Sequence, residues 1–268
     1  MLSDGARPHE PPAVVELDEV DSTNLEALRR AAAGERGPVW IAANRQSAGR
    51  GRLGRAWQSP AGNFAATLLL APGCPAARLH QLSLVAGIAA HCAVARLVEG
   101  VADIDALRLK WPNDLLFQGA KLGGILVESS TTGTDMVAAI GIGINVAAAP
   151  RLQDRATTCL GSLGQAAVGR QHSTRQVLAA VAAEVGLWLD LWDTGQGFAT
   201  IRAAWLARAG PIGALITVNT GAETIAGAFA GIDETGALLV SSVPAKPGEF
   251  RRFTFGDVSL LPPPQDQG

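Results

Sequence analysis

The chain has 268 residues, of which 48% are hydrophobic and 17% charged, and a formal net charge of −2. Such a chain buries a sizeable core and is not disordered overall, and near neutrality excludes a protein whose main work is coating nucleic acid or a charged membrane. Three widely spaced cysteines, Cys74, Cys92 and Cys159, with no C-x-x-C pair, exclude a disulfide framework and a cysteine zinc site and fit a reducing cytoplasm.

Residues 1–13 lack an apolar run and read as disordered, with no signal peptide. Thr23-x-x-Glu26 is a capping-box pattern ahead of Leu25, Leu28 and an alanine-rich run, which predicts a helix over 24–33. Residues 39–43 and 64–70 read as buried strands. Residues 79–98, the most apolar run, contain His80, Gln81, His91 and Arg96 and read as a buried helix, not a membrane span. Strands are predicted at 108–111 and 115–117 around a Pro112-Asn113-Asp114 turn. A hairpin follows, 123–128 with 136–145, joined by a polar turn over 129–135. Helices are expected at 174–191 and 198–209. After Gly210-Pro211 the texture changes to short strands at 212–218, 223–230, 237–240, 250–255 and 258–261, with a hairpin turn over 231–236. The expected organisation is therefore a catalytic unit over 14–209, a small β-barrel over 210–262 and a disordered tail over 263–268.

Residues 46–55 read Q-S-A-G-R-G-R-L-G-R, and no carboxylate occurs from Gly37 to Val98, a span with six arginines. Glycines permit close approach and positive φ, and guanidinium forks suit carboxylate and phosphate oxygens. This segment reads either as a clamp on an anionic small molecule or as a solvated basic turn or nucleic-acid patch. Asp21-Ser22-Thr23-Asn24 reads as a plain helix cap or as a polar head-group site at a positive helix end. Only three basic residues are lysines, Lys110, Lys121 and Lys246, so a lysine retained against that bias marks a position needing a compact ammonium. Lys110 opens K-W-P-N-D, with Asn113 and Asp114 in a turn. Lys121 precedes Gly123 and Gly124, and Gly141-Ile142-Gly143-Ile144-Asn145 opens one strand face on which a flat apolar ligand fits.

Taken in order, S-T-N, Q-x-A-G-R-G-R-x-G-R, K-W-P-N-D, K-L-x-G-I-L-x-E and G-x-G-I-N closely resemble the biotin–protein ligases, also called biotin–[acetyl-CoA-carboxylase] ligases. The resemblance is dense from Val20 to Val146 and looser through a closing Gly256-Asp257-Val258-Ser259-Leu260. It implies an α+β fold of the class II synthetase and biotin ligase type, with a central mixed or antiparallel sheet, flanking helices and a small C-terminal SH3-like β-barrel. It implies two steps: biotin and ATP give biotinyl-5′-AMP and pyrophosphate, and a lysine of a biotin carboxyl carrier protein then displaces AMP. By resemblance, Ser22, Thr23, Asn24 and Gln46 bind the ureido head with Gly124 nearby, while Arg50, Gly51 and Arg52 close over the acid. Lys121 holds its carboxylate. Lys110, Arg50, Arg52, Arg55, Asn113, Asp114 and Asn145 serve the nucleotide, and Lys121, Lys110 and Arg52 carry the chemistry.

Mg²⁺ accompanies ATP with ligands not readable from the sequence, Asp114 being the nearest candidate, and no tightly held prosthetic group is expected. About twenty residues precede Ser22, too few for the DNA-binding domain of some relatives, so no repressor role, no DNA partner and no membrane partner are expected. A homodimer through an edge strand is left open. The rival readings are a lipoate–protein ligase or octanoyl transferase of the same superfamily and, from another class, a nucleic-acid-binding module.

Overall fold

The computed structural model describes residues 11–100, 103–132, 135–152, 155–163, 172–243 and 249–261. Lys246, the tail over 263–268 and residues 1–10 lie outside them. A seven-stranded sheet contains β1 (Ala13–Val20), β2 (Val39–Gln46), β3 (Phe64–Leu70), β4 (Leu107–Lys110), β5 (Asp114–Phe117), β6 (Ala120–Thr132) and β7 (Asp135–Ile144). Its order is β1-β2-β3-β7-β6-β5-β4, parallel between β1 and β2 and antiparallel elsewhere. The helices are α1 (Thr23–Ala32), α2 (Gln81–Leu97), α3 (Thr174–Trp192) and α4 (Phe198–Arg208). A second, antiparallel sheet comprises β8 (Leu215–Asn219), β9 (Thr224–Ile232), β10 (Leu238–Ser241), β11 (Phe250–Phe253) and β12 (Asp257–Leu260), in the order β11-β10-β9-β8-β12.

Alternation along the central strands sends side chains to two cores. Trp40, Ala66, Leu68, Ile140, Ile142 and Ile144 join the larger core with α2 and α3, whereas Val39, Ile41, Leu69, Val137 and Ala139 pack under Ala27 and Ala31 of α1. All seven residues of β3 are buried, as a strand covered on both faces requires. Toward the other end of β3 and β7 the α1 face changes to Ala65, Thr67, Gly141 and Gly143, with Thr67 opposite Gly141 and Ala65 opposite Gly143. Since α1 begins there, its N-terminus overlooks a stretch of sheet with little side-chain bulk. The site lies in that space.

Several boundaries differ from the sequence reading. The N-cap is Ser22, not Thr23, its hydroxyl accepting from Leu25 N at 3.4 Å. β1 begins inside the stretch read as disordered, and its mostly exposed residues give little hydrophobic signal. The turn read over 129–135 is largely strand: Ser130 and Thr131 pair with Val137 and Met136, and β-branched threonine suits that pleat. Among the described residues no helix is long and apolar enough to cross a membrane.

Candidate active site

The N-terminus of α1 supplies the first wall. Ser22, Thr23 and Asn24 are all buried, but only Thr23 of the three lines the adjoining cavity, which has a volume of about 310 Å³. Gln46, at the end of β2, accepts from Thr23 N at 2.9 Å, and its Oε1 lies 3.1 Å from Thr23 Oγ1. The Asn24 amide lies over Gly141, where an added Cβ would come within 2.2 Å of Asn24 Oδ1. Ser22 spends its hydroxyl on the cap.

The arginine–glycine loop folds back on itself as a narrow antiparallel excursion, with bridges between Gln46 and Ser59 and between Arg50 and Ala56. Gly49 is required because a Cβ there would sit 2.4 Å from Trp57 O, and Gly54 turns the tip at φ +73°. The close approach at Gly49 is therefore to the loop's own return strand. The loop's missing counter-charges come from distant elements: Arg50 pairs with Glu128 of β6 at 2.9 Å, and Arg55 with Asp257 of β12 at 2.9 Å. Arg52 has neutral partners, donating to Asn113 Oδ1 at 3.4 Å and Gly256 O at 3.2 Å. Burial pulls its pKa down, against the opposing pull of Asp257 and Asp114.

Asp114 is the electrostatic hinge of the opposite wall. Its oxygens meet Lys121 Nζ at 2.5 Å and Lys110 Nζ at 2.9 Å, with Arg155 at 4.0 Å. Burial pushes the Asp114 pKa up, but the two ammonium groups outweigh it and hold the carboxyl at about 2. Lys110 also donates to Val258 O at 2.8 Å and stands behind Asp114, outside the cavity's lining; Lys121 lines it. Asn113 is fixed by its Nδ2 donating to Ile125 O at 2.8 Å. With both Asp114 oxygens committed to lysines, this carboxylate does not fit a magnesium ligand. Among the described residues no cluster of three His, Cys, Asp or Glu is placed to hold a metal.

The cavity lining thus brings together Thr23, Gln46, Arg50, Gly51, Arg52, Arg55, Asn113, Asp114, Lys121, Gly124, Gly141 and Gly143 of the expected residues. Asn145 is not among them. It is buried beneath, and its Nδ2 donates to Thr158 O at 3.0 Å and Lys121 O at 3.4 Å, so it braces the strand carrying Lys121. Trp57 is the principal residue missed. Its indole lies on Gly143, where a Cβ would come within 2.6 Å of the ring, and Lys121 Nζ is 5.6 Å from the ring centroid. The protein's own tryptophan therefore covers part of the glycine face expected to hold a flat ligand. Only the bare strand opposite hinted at such a ring. Glu128 and Asp257 stood within quoted motifs but were given no role, and Arg155 was missed, because their partners in the loop and the lysine wall are distant in sequence. Among the described residues, six cationic side chains (Arg50, Arg52, Arg55, Lys110, Lys121, Arg155) face three carboxylates, a surplus suited to a polyanionic ligand.

The sequence profile of the Biotin/lipoate A/B protein ligase family matches residues 15–145. The chain is 44% identical over 230 residues to a biotin–[acetyl-CoA-carboxylase] ligase of Paracoccus denitrificans, covering 84% of this chain and 92% of that one. It is 34% identical over 226 residues to the enzyme of the same name from Mycobacterium tuberculosis, covering 82% and 79%. Among solved structures, the biotin protein ligase from Aquifex aeolicus in complex with biotin and ATP superposes with a TM-score of 0.74 at 27% identity, covering 93% of this chain and 98% of that one. Identity at that level along almost the whole of a curated relative leaves one assignment: the chain belongs to the biotin–protein ligase family.

Proposed function

We propose that this protein is a ligase that activates biotin with ATP as biotinyl-5′-AMP and transfers the acyl group to one lysine of a biotin carboxyl carrier protein. The observation that carries this reading is the convergence of Thr23, Gln46, the arginine loop and Lys121 on one cavity. The helix end and Gln46 take the ureido head, and Trp57 with the glycine strands takes the apolar body. Lys121 meets the carboxylate. In the first step a carboxylate oxygen attacks the α-phosphorus and pyrophosphate leaves. Two anions must approach, and the positive surplus offsets their repulsion most where charge builds on the phosphoryl oxygens. In the second step the neutral amine of the carrier lysine attacks the acyl carbon, AMP departs with the bonding pair, and the amine proton passes to solvent. Arg50 and Arg52 cover the anhydride in the interval and keep water from it.

On this reading Mg²⁺ arrives with the triphosphate as part of the substrate. Residues 14–209 form the catalytic unit, the five-stranded sheet is a small SH3-like barrel that steadies the clamp, and the protein acts in the cytoplasm. Two copies pair along an edge of the central sheet, and sedimentation with and without biotin tests this.

Incubation with labelled biotin, ATP and an isolated carrier domain tests the activity. The expected result is ATP-dependent label on a single carrier lysine. No transfer of biotin, or transfer of lipoate in its place, would reject the proposal.

A further inference from the structure

Glu128 touches no part of the acyl–phosphoryl junction assigned above, yet its two oxygens join the two halves of the site. Oε1 pairs with Arg50 Nη2 at 2.9 Å in the loop, and Oε2 accepts from Asn24 Nδ2 at 2.9 Å in the head-group wall. A carboxylate has no proton to give, so Asn24 must present its Nδ2, which also donates to Leu126 O at 3.1 Å. Asn24 Oδ1 then faces Thr67, whose Oγ1 donates to it at 2.7 Å and lies 2.8 Å from Thr23 Oγ1. With the Thr67 proton on Asn24, the single Thr23 hydroxyl proton goes to Thr67 Oγ1, and Thr23 reaches Gln46 through its backbone, the Thr23 N–H donating to Gln46 Oε1 at 2.9 Å. Gln46 opens the very loop that carries Arg50. The contacts therefore form a closed ring, from loop to wall to sheet to carboxylate and back to loop, with Thr67 wholly buried at its centre.

We propose, resting on the reading of the cavity as a biotin site, that Glu128 is a positioning residue that couples the head-group wall to the clamp loop. A ligand bonded to Thr23 and Gln46 stiffens the wall, and through Asn24 and Glu128 that stiffening reaches Arg50. Equally, withdrawal of Arg50 removes the charge partner of one Glu128 oxygen and loosens the hold on Asn24. The two effects are one coupling free energy seen from either end.

The loop contains its own reporter, since trypsin cleaves after Arg50, Arg52 and Arg55, and cleavage follows the population of the open form when reclosing is fast. Biotin alone, without ATP, should slow tryptic cleavage of the native protein at these sites by about tenfold or more. In Glu128→Gln the amide presents an N–H to either Arg50 or Asn24, so one bond of the ring is lost. Biotin should still bind by calorimetry, but protection should fall to about twofold or less. Thr67→Val cuts the ring at its centre without touching the ion pair, and should do the same even if the first variant fails to fold. The double variant should lose no more protection than either single one, because both break one relay.

A purely structural role for Glu128 would speed cleavage with and without biotin alike. Protection of native size in either variant, or losses that add, would overturn the coupling. So would a native protein that binds biotin yet gains no protection. Failure of the native protein to bind biotin at all would instead overturn the function on which the coupling rests, so the two failures are distinguishable.

Discussion

Lys110 and Lys121 each place an ammonium within 3 Å of one buried carboxylate, and that arrangement governs what substitution at Asp114 must do. A carboxyl whose pKa is depressed in the folded state lends stability that is complete above its unfolded value, near 3.8. That stability is lost as pH falls through the folded value of about 2. The contribution is on the order of 2 kcal/mol, appearing as an acid-side slope between about pH 4 and pH 2. Asp114→Asn should abolish that slope and, by leaving two ammonium groups unneutralised, destabilise the fold at neutral pH by roughly 3–5 kcal/mol. Denaturant unfolding of both proteins at pH 7 and pH 3 checks this; equal midpoints at pH 7 would contradict it. At this scale the sequence was readable where rarity marked a residue. Both conspicuous lysines reach Asp114, but only Lys121 lines the cavity. The carboxylates that balance the loop were not readable, because Glu128 and Asp257 meet it only through the fold. Trp57 was invisible for the same reason, being one tryptophan among six with no local pattern.

A strand with glycine at alternate positions is a liability unless something fills the bare face, and in β7 two different groups do so. Asn24 covers Gly141 and Trp57 covers Gly143, while Ile140, Ile142 and Ile144 pack the larger core on the other side. The alternation was evident in the sequence, and so was the direction of the isoleucines. The occupant was not, because a strand specifies only that a neighbour comes close. The same limit explains the loop: its glycines announced close approach without saying that Gly49 approaches the return strand. Gly143→Ala should thus act on the substrate more than on the fold. Its methyl group would come within 2.6 Å of the Trp57 indole, so Trp57 must move, and Lys121 loses its aromatic neighbour. The expected outcome is a rise of about tenfold in KM for biotin with a change in stability below about 1.5 kcal/mol. Steady-state kinetics beside thermal unfolding would show it, and an unaltered KM would mean that Trp57 plays no part in holding the acid.

Across the whole molecule, the change of texture after Gly210 located the second sheet correctly but implied more independence than its packing allows. Trp205 of α4 meets Phe229 of β9 edge to face, with centroids 6.4 Å apart, and both belong to the larger core of the central sheet. Trp111 Nε1 donates to Gly236 O at 3.1 Å, and residues 256–258 receive Arg52, Arg55 and Lys110 from the clamp and the lysine wall. Local sequence cannot encode such packing, since each partner is an ordinary core or surface residue in its own segment. A shared core predicts shared melting. Trp205→Ala removes a side chain that is 2% exposed and should cost about 3–5 kcal/mol. Because the two sheets share that core, both should lose stability together. Calorimetry should show one transition in the native protein and one, at lower temperature, in the variant, with calorimetric and van't Hoff enthalpies agreeing in each. Two transitions, with only the smaller displaced by the substitution, would mean that the second sheet folds by itself and that its grip on the clamp is a surface contact.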